Sequence, residues 1–173
     1  MKTYVLLFRG INVGGKNLLP MKELTAVLER CGMREVRTYI QSGNAVLKSS
    51  RLPGADLSTA LADEFGFEPE LLAIESSKFT DAVSANPFDS ADGKLVHFYF
   101  CKSKPAPDEE KISRFKLPSE ELRIINHVAY LYAPDGIGRS KLVSNVEACL
   151  GVRATGRNLN TINRLQKMII DAG

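Results

Sequence analysis

The chain has 173 residues, of which 44% are hydrophobic and 25% charged, with a formal net charge of +3. Those proportions are ordinary for a globular fold, and the length suffices for one domain or two small ones. The apolar run Tyr4 to Phe8 is stopped by Arg9 and no later run is long enough, which excludes a secretory core or a membrane-spanning helix; a cytoplasmic protein with no membrane partner is expected. Cys31, Cys101 and Cys149 lie far apart with no Cys-x-x-Cys or Cys/His cluster, so neither a zinc site nor a disulfide framework is expected. Cys31 and Cys149 fall on helix faces with apolar neighbours and read as buried thiols. The charge is uneven. Residues 1–38 carry seven Lys or Arg against three acids, residues 39–135 ten against fifteen, and residues 136–173 six against two. Two basic ends brought together would attract a phosphate-bearing partner, whereas two separate solvated helix faces would give the same count.

In chain order, Thr3 to Gly10 reads as a strand whose nearly continuous apolar run suits a central place in a sheet. Met21, Leu24, Val27, Leu28 and Cys31 recur at helical spacing, with Pro20 suited to the first helical position and Gly32 to the residue after the end. Val36 to Gln41 and Ala45 to Lys48 are strand-like, joined by the turn dipeptide Ser42-Gly43. Leu57 to Phe65 is a second helix, ended by Gly66, and Leu71 to Glu75 a fourth strand. Strand, helix, strand, strand, helix, strand is the split βαβ or ferredoxin-like order. A short helix from Ser77 to Ala85 then stops at Asn86-Pro87, and residues 87–93 read as a connecting loop.

The same order returns afterwards. Leu95 to Cys101 is a strand, Asp108 to Phe115 a helix, and Leu122 to Ile125 with Val128 to Tyr132 a hairpin turning at Asn126-His127. Ser140 caps one helix running to Leu150, Val152 to Thr155 supplies the fourth strand, and a final helix begins near Asn160. We therefore expect an α+β protein of two ferredoxin-like units with antiparallel sheets, residues 1–86 and 93–173, plus a C-terminal helix.

The stretch richest in chemistry is Arg9 to Asn17. Gly10, Gly14 and Gly15 let the backbone take positive φ and approach a ligand, and Arg9 and Lys16 add positive charge. Converging N–H groups there would form an anion nest, reinforced by the helix that follows. Gly10, four residues, Gly15 and Lys16 satisfy most of G-x-x-x-x-G-K-[S/T], but Asn17 stands where the Mg²⁺-holding hydroxyl belongs, and the helix starts about four residues too late. Two further segments, Gln41-Ser42-Gly43-Asn44 and Arg157-Asn158 through Thr161, carry donors and acceptors that can read a base, sugar or phosphate; turn formation and helix capping recruit the same residue types. In a ferredoxin-like sheet the loop after the first strand and the turn between the second and third are expected at opposite ends.

Other chemistry is sparse. His97 and His127 have no ligand spacing and read as satisfied core or surface residues, Ser42 lacks a nucleophile elbow, and Tyr130 and Tyr132 share one strand face as either core packing or a stacking platform. No aromatic occurs in Ala45 to Lys48, which argues against an RNA-recognition module.

Tyr4 to Asn17, Arg37 to Asn44 and Thr155 to Asn158, in that order, resemble the bacterial family known as domain of unknown function 1697. Such proteins usually show Thr-Thr-Arg-Asn-Trp near the end, where this chain has Ala154-Thr155-Gly156-Arg157-Asn158-Leu159, with a glycine inserted and the aromatic lost. The resemblance implies a two-unit α+β fold, bacterial and cytoplasmic, and no reaction. The residues themselves point to a binding module for a nucleotide-like small molecule or a nucleic-acid backbone. Its ligand-binding residues would be Arg9, Gly10, Asn12, Gly14, Gly15, Lys16, Gln41, Ser42, Asn44, Arg157 and Asn158, with Arg9, Lys16 and Arg157 facing one concavity. No cofactor or metal is expected, and the sequence sets no oligomeric state. The alternatives are a Mg²⁺-dependent phosphotransfer or phosphohydrolase enzyme, with Glu75 as the metal-holding acid, and an interaction protein without a small-molecule site.

Overall fold

A computed structural model describes residues 1–173. The first half runs β1 (Lys2–Arg9), α1 (Met21–Arg30), β2 (Arg34–Tyr39), β3 (Asn44–Ser49), α2 (Ala55–Phe65), β4 (Glu70–Glu75) and α3 (Ser76–Ser84). The second runs β5 (Val96–Cys101), α4 (Glu109–Phe115), β6 (Glu121–Ile125), β7 (Val128–Tyr132), α5 (Lys141–Ser144), α6 (Val146–Leu150), β8 (Ala154–Asn158) and α7 (Leu159–Ala172). Two four-stranded antiparallel sheets result, ordered β2-β3-β1-β4 and β6-β7-β5-β8. Both orders are those of the split βαβ arrangement expected from the element sequence.

In the first sheet, β1 pairs with β3 on one edge and β4 on the other, and all of Tyr4 to Phe8 is buried. Alternate residues Tyr4, Leu6 and Phe8 pack with Ala45 and Leu47 beneath Leu24 and Leu28 of α1 and Leu57 and Leu61 of α2. Val5, Leu7 and Val46, on the other face, are equally shielded from water. Each such side chain contributes about 1.5–3 kcal/mol by leaving water. Gly32, at φ +86, ends α1: its N–H reaches the Glu29 carbonyl and that of Met33 the Leu28 carbonyl, so the last turn loses few partners. Pro20 lies one place before the helix rather than at its first residue.

In the second unit, Tyr99, Cys101, Ala129 and Leu131 pack under Ile112, Leu142 and Leu150. On the opposite face the Tyr130 ring meets Phe98 edge-on at 4.7 Å and donates its hydroxyl to the Ala82 carbonyl at 2.6 Å, so this tyrosine is a core residue rather than a stacking platform. Buried Glu120 accepts from the Leu117 N–H at 2.8 Å and from the Ser140 hydroxyl at 2.6 Å. Ser140 in turn accepts from Val143 N–H, capping α5 as expected. The helix after it is not continuous: Asn145 ends α5, its side chain donating to the Lys141 carbonyl, and α6 starts afresh.

The compact units are residues 1–81 with 164–173, and residues 82–163. The sequence division, 1–86 and 93–173, assigned the whole terminal helix to the second unit. Its later turns belong to the first, where the Thr80 hydroxyl and Gln166 Oε1 are 3.1 Å apart. A buried apolar stripe reveals that a helix is covered, not by which sheet.

Cys31 corrects another expectation, because it is exposed while Cys101 and Cys149 are buried. Helical spacing carries Cys31 onto the apolar stripe, but the helix has already ended and the residue serves as its C-cap. Burial pushes the Cys101 thiol up to about 11 and raises that of Cys149. A thiol reagent under native conditions is therefore expected to modify Cys31 rapidly and the other two only on unfolding, as counted by mass spectrometry.

His97 is also a core residue, but not a satisfied one. It is buried in β5 opposite Leu131 and Asn158, and its Nε2 has no hydrogen-bond partner. Burial lowers its pKa from the ordinary 6.5, partly offset by a backbone hydrogen bond involving Lys94. The folded state therefore binds fewer protons here than the unfolded state once the pH drops to 6.5 and below, and stability is lost as pH falls through that window. Urea unfolding at about pH 7 and about pH 5 should show that loss, and a smaller one for His97→Phe; identical pH slopes would remove His97 as its source.

Candidate functional site

The register places the two polar segments of the first unit together, against expectation. Because β1 and β2 each run antiparallel to β3, which lies between them, they run parallel to one another and finish at the same end of the sheet. The loop after β1 and the β2–β3 turn are neighbours there. Leu7 and Tyr39 both sit opposite Asn44, and the Phe8 N–H donates to the Gly43 carbonyl at 2.8 Å.

The glycine-rich loop is a miniature hairpin. Gly14 and Gly15, at φ +57 and +72, form a two-residue turn, with Val13 and Lys16 bridged and the Lys16 N–H donating to the Val13 carbonyl at 3.0 Å. Asn12 N–H donates to the Asn17 carbonyl at 3.0 Å, and Asn17 Nδ2 to the Gly10 carbonyl at 3.1 Å. These N–H groups are used within the loop instead of converging on a phosphate, so the partial G-x-x-x-x-G-K pattern does not build that cradle.

Asn12 fastens the hairpin to its surroundings. Its Oδ1 accepts from the Leu19 N–H at 2.7 Å, while Nδ2 donates to the carbonyls of Leu19 and Gln41, each at 2.9 Å. Buried Asn44 holds the neighbouring turn, donating to the Tyr39 carbonyl at 2.9 Å and the Ser42 hydroxyl at 3.3 Å. The amides of Asn12 and Asn44 thus serve the frame. Gln41, Ser42 and Lys16 are exposed on it, and half-buried Arg9 lies opposite Glu70 of β4.

Arg157 and Asn158 lie in the second unit, on a strand that begins later than the expected Val152. Arg157 donates to the Gly156 carbonyl at 2.8 Å, and burial lowers its pKa to about 10. Asn158 Oδ1 accepts from the Thr161 N–H at 3.0 Å and so caps α7. Glu75, the acid of the enzyme alternative, pairs with Lys2 at 3.1 Å. It is opposite Tyr4, near the start of β1, and thus at the far end of the sheet from Lys16. A cavity of about 480 Å³ beside Cys31, Ser49 and Gly54 also lies at that far end, where Arg51 is held by Asp56 at 2.6 Å.

Sequence reasoning missed three residues at the near end. Arg164 of α7 sets its guanidinium carbon 5.8 Å from the centre of the Tyr39 ring, and Arg37 precedes Tyr39 by two residues in β2. Tyr39 adjoined a turn already singled out; nothing local marked Arg164. Val13, Leu18 and Ile40 are 64%, 62% and 46% exposed on the hairpin, beside it and on the turn. Ile40 holds φ +49, a conformation that costs a β-branched residue energy.

Together these features define a protein of two α+β units with a framed, partly basic loop cluster at one end of the first. Residues 1–130 match the family described as protein of unknown function, DUF1697, and the chain belongs to that family. It is also similar to a conserved bacterial protein from Streptococcus pneumoniae, at 23% identity and a TM-score of 0.70, over 97% of this chain and 98% of that one. At that identity the likeness is one of fold. No curated protein matches the chain.

The docking of turn on hairpin can be tested at two glycines. A Cβ at Gly43 would lie 2.5 Å from Ile11 Cδ1 and 2.7 Å from Phe8 Cβ, whereas one at Gly14 would meet open space. Both have positive φ, so both alanine variants carry a backbone strain of about 1–2 kcal/mol. Gly43→Ala should lose roughly a further 1–3 kcal/mol by overpacking in chemical denaturation. Equal losses would mean that the two segments are not docked.

Proposed function

We propose that the protein is a binding module for a phosphate-bearing ligand, taken up where the β1–α1 hairpin and the β2–β3 turn meet. The observation that carries this reading is the Asn12 amide, whose hydrogen bonds to Leu19 and Gln41 hold residues 9–17 and 41–44 in one frame. A frame of that kind holds the exposed Lys16, Gln41 and Ser42 at fixed positions, and it makes no use of the Lys16 ammonium for its own support. Lys16 has no carboxylate partner and supplies an available positive charge. Arg9, near the same end, adds a guanidinium suited to two-pronged contact with phosphate. A Mg²⁺-dependent enzyme is a weaker reading, because Glu75 and Lys16 stand at opposite ends of the sheet. An interaction protein is the second reading, favoured by the exposed Val13, Leu18 and Ile40.

Calorimetric titration of a nucleoside triphosphate and of inorganic phosphate into wild type, Lys16→Ala and Arg9→Ala tests the first reading. Each substitution should weaken binding by about 1–3 kcal/mol, Arg9→Ala more than Lys16→Ala. Unchanged affinity in both variants would leave the hairpin a structural feature.

A further inference from the structure

The kind of anion is narrowed by the pair Tyr39 and Arg164. Alternate residues of a strand share a face, so Arg37 and Tyr39 lie side by side on β2, opposite Val46 and Asn44. Arg9 continues that face beyond Leu7, which also sits opposite Asn44. Further into the sheet the same face is closed, with Val5, Leu7 and Val46 buried. At the β2 edge it carries a half-buried tyrosine ring with the Arg164 guanidinium carbon 5.8 Å from its centre. Arg37 and Arg164 are both exposed and neither has a carboxylate partner, while Glu35 of the same strand is paired with Lys48 at 3.0 Å.

A cation near an aromatic ring gains a modest attraction, enough to help seat α7. The arrangement offers more than that. A phosphate ion needs only charge and donors, and an acidic peptide would likewise leave the ring unused. A guanidinium and an aromatic ring held this near one another offer flat, delocalised surfaces, which is what an unpaired nucleobase stacks on. Bases inside a duplex could not reach it.

We propose that Arg37, Tyr39 and Arg164 bind a nucleotide unit, with its base stacked on the solvent side of the Arg164 guanidinium and its phosphate held by Arg37. This rests on the anion-binding reading and extends it to a ligand with both a phosphate and an unpaired base, supplied as a free nucleotide or as a single strand. Lys16 and Arg9, at the same end, serve the phosphates to either side.

Fluorescence anisotropy with a short labelled single-stranded oligonucleotide, and with an abasic sugar–phosphate strand of equal length, separates stacking from charge. Arg164→Lys keeps the charge and loses the plane. It should weaken the base-bearing strand about tenfold to a hundredfold, as should Tyr39→Leu, and leave the abasic strand unchanged; Tyr39→Phe should bind like wild type. Displacement of the strand by an unlabelled mononucleotide identifies the free nucleotide as a sufficient ligand, and failure of displacement identifies the polymer. Equal weakening of both strands by Arg164→Lys, or no effect of Tyr39→Leu, overturns the stacking proposal. If Lys16→Ala still weakens both strands in that case, the broader anion reading stands without it. If wild type binds neither strand nor the mononucleotide, both readings fall.

Discussion

β1 is hydrogen-bonded along both edges and buried on both faces, so neither its position nor its direction of exit is free to vary. A strand paired on one edge can slide or fray; one paired on both is held by two registers at once. The chain leaving Arg9 is consequently delivered beside the β2–β3 turn, and Ile11, buried against that turn, leaves no room there for any residue larger than glycine at position 43. The Asn12 bonds, the paired glycines at positive φ and the alignment of Tyr39 with Leu7 all follow from that fixed exit.

The element order was legible because it rests on local patterns: an uninterrupted apolar strand, helical spacing closed by glycine, a serine cap at Ser140. What was not legible depended on partners distant in sequence. The ends of the sheet were misassigned although the strand order was right, because relative direction has to be traced pair by pair through β3. Asn145 interrupts a helix by bonding back to Lys141, a bond that competes with the helix and leaves no mark in apolar spacing. Val152 to Thr155 was apolar enough to read as a strand, but pairing with β5 begins at Ala154.

The polar segments 9–17 and 41–44 were marked by their residue types, but neither their meeting at one end of the sheet nor the duties of their residues was. Asparagine suits both a ligand contact and a backbone at positive φ, and Asn12 and Asn17 do the second, at φ +53 and +52. The Asn17 amide closes the loop on itself, and that of Asn12 ties it to Leu19 and Gln41, which leaves the Lys16 side chain outward. Tyr39 and Arg164 lie too far apart in sequence for any local motif to join them; the fold alone makes them neighbours.

The first unit is interrupted in sequence, since residues 164–173 join residues 1–81 only after the whole of the second unit has intervened. Domains generally fold as they emerge from the ribosome, amino-terminal part first. Here the amino-terminal sheet can form early, but its complement of contacts waits for the last turns of α7. Synthesis of the second unit is thereby enclosed within the assembly of the first, and a chain stalled near residue 160 would carry an unfinished first unit alongside a nearly complete second one.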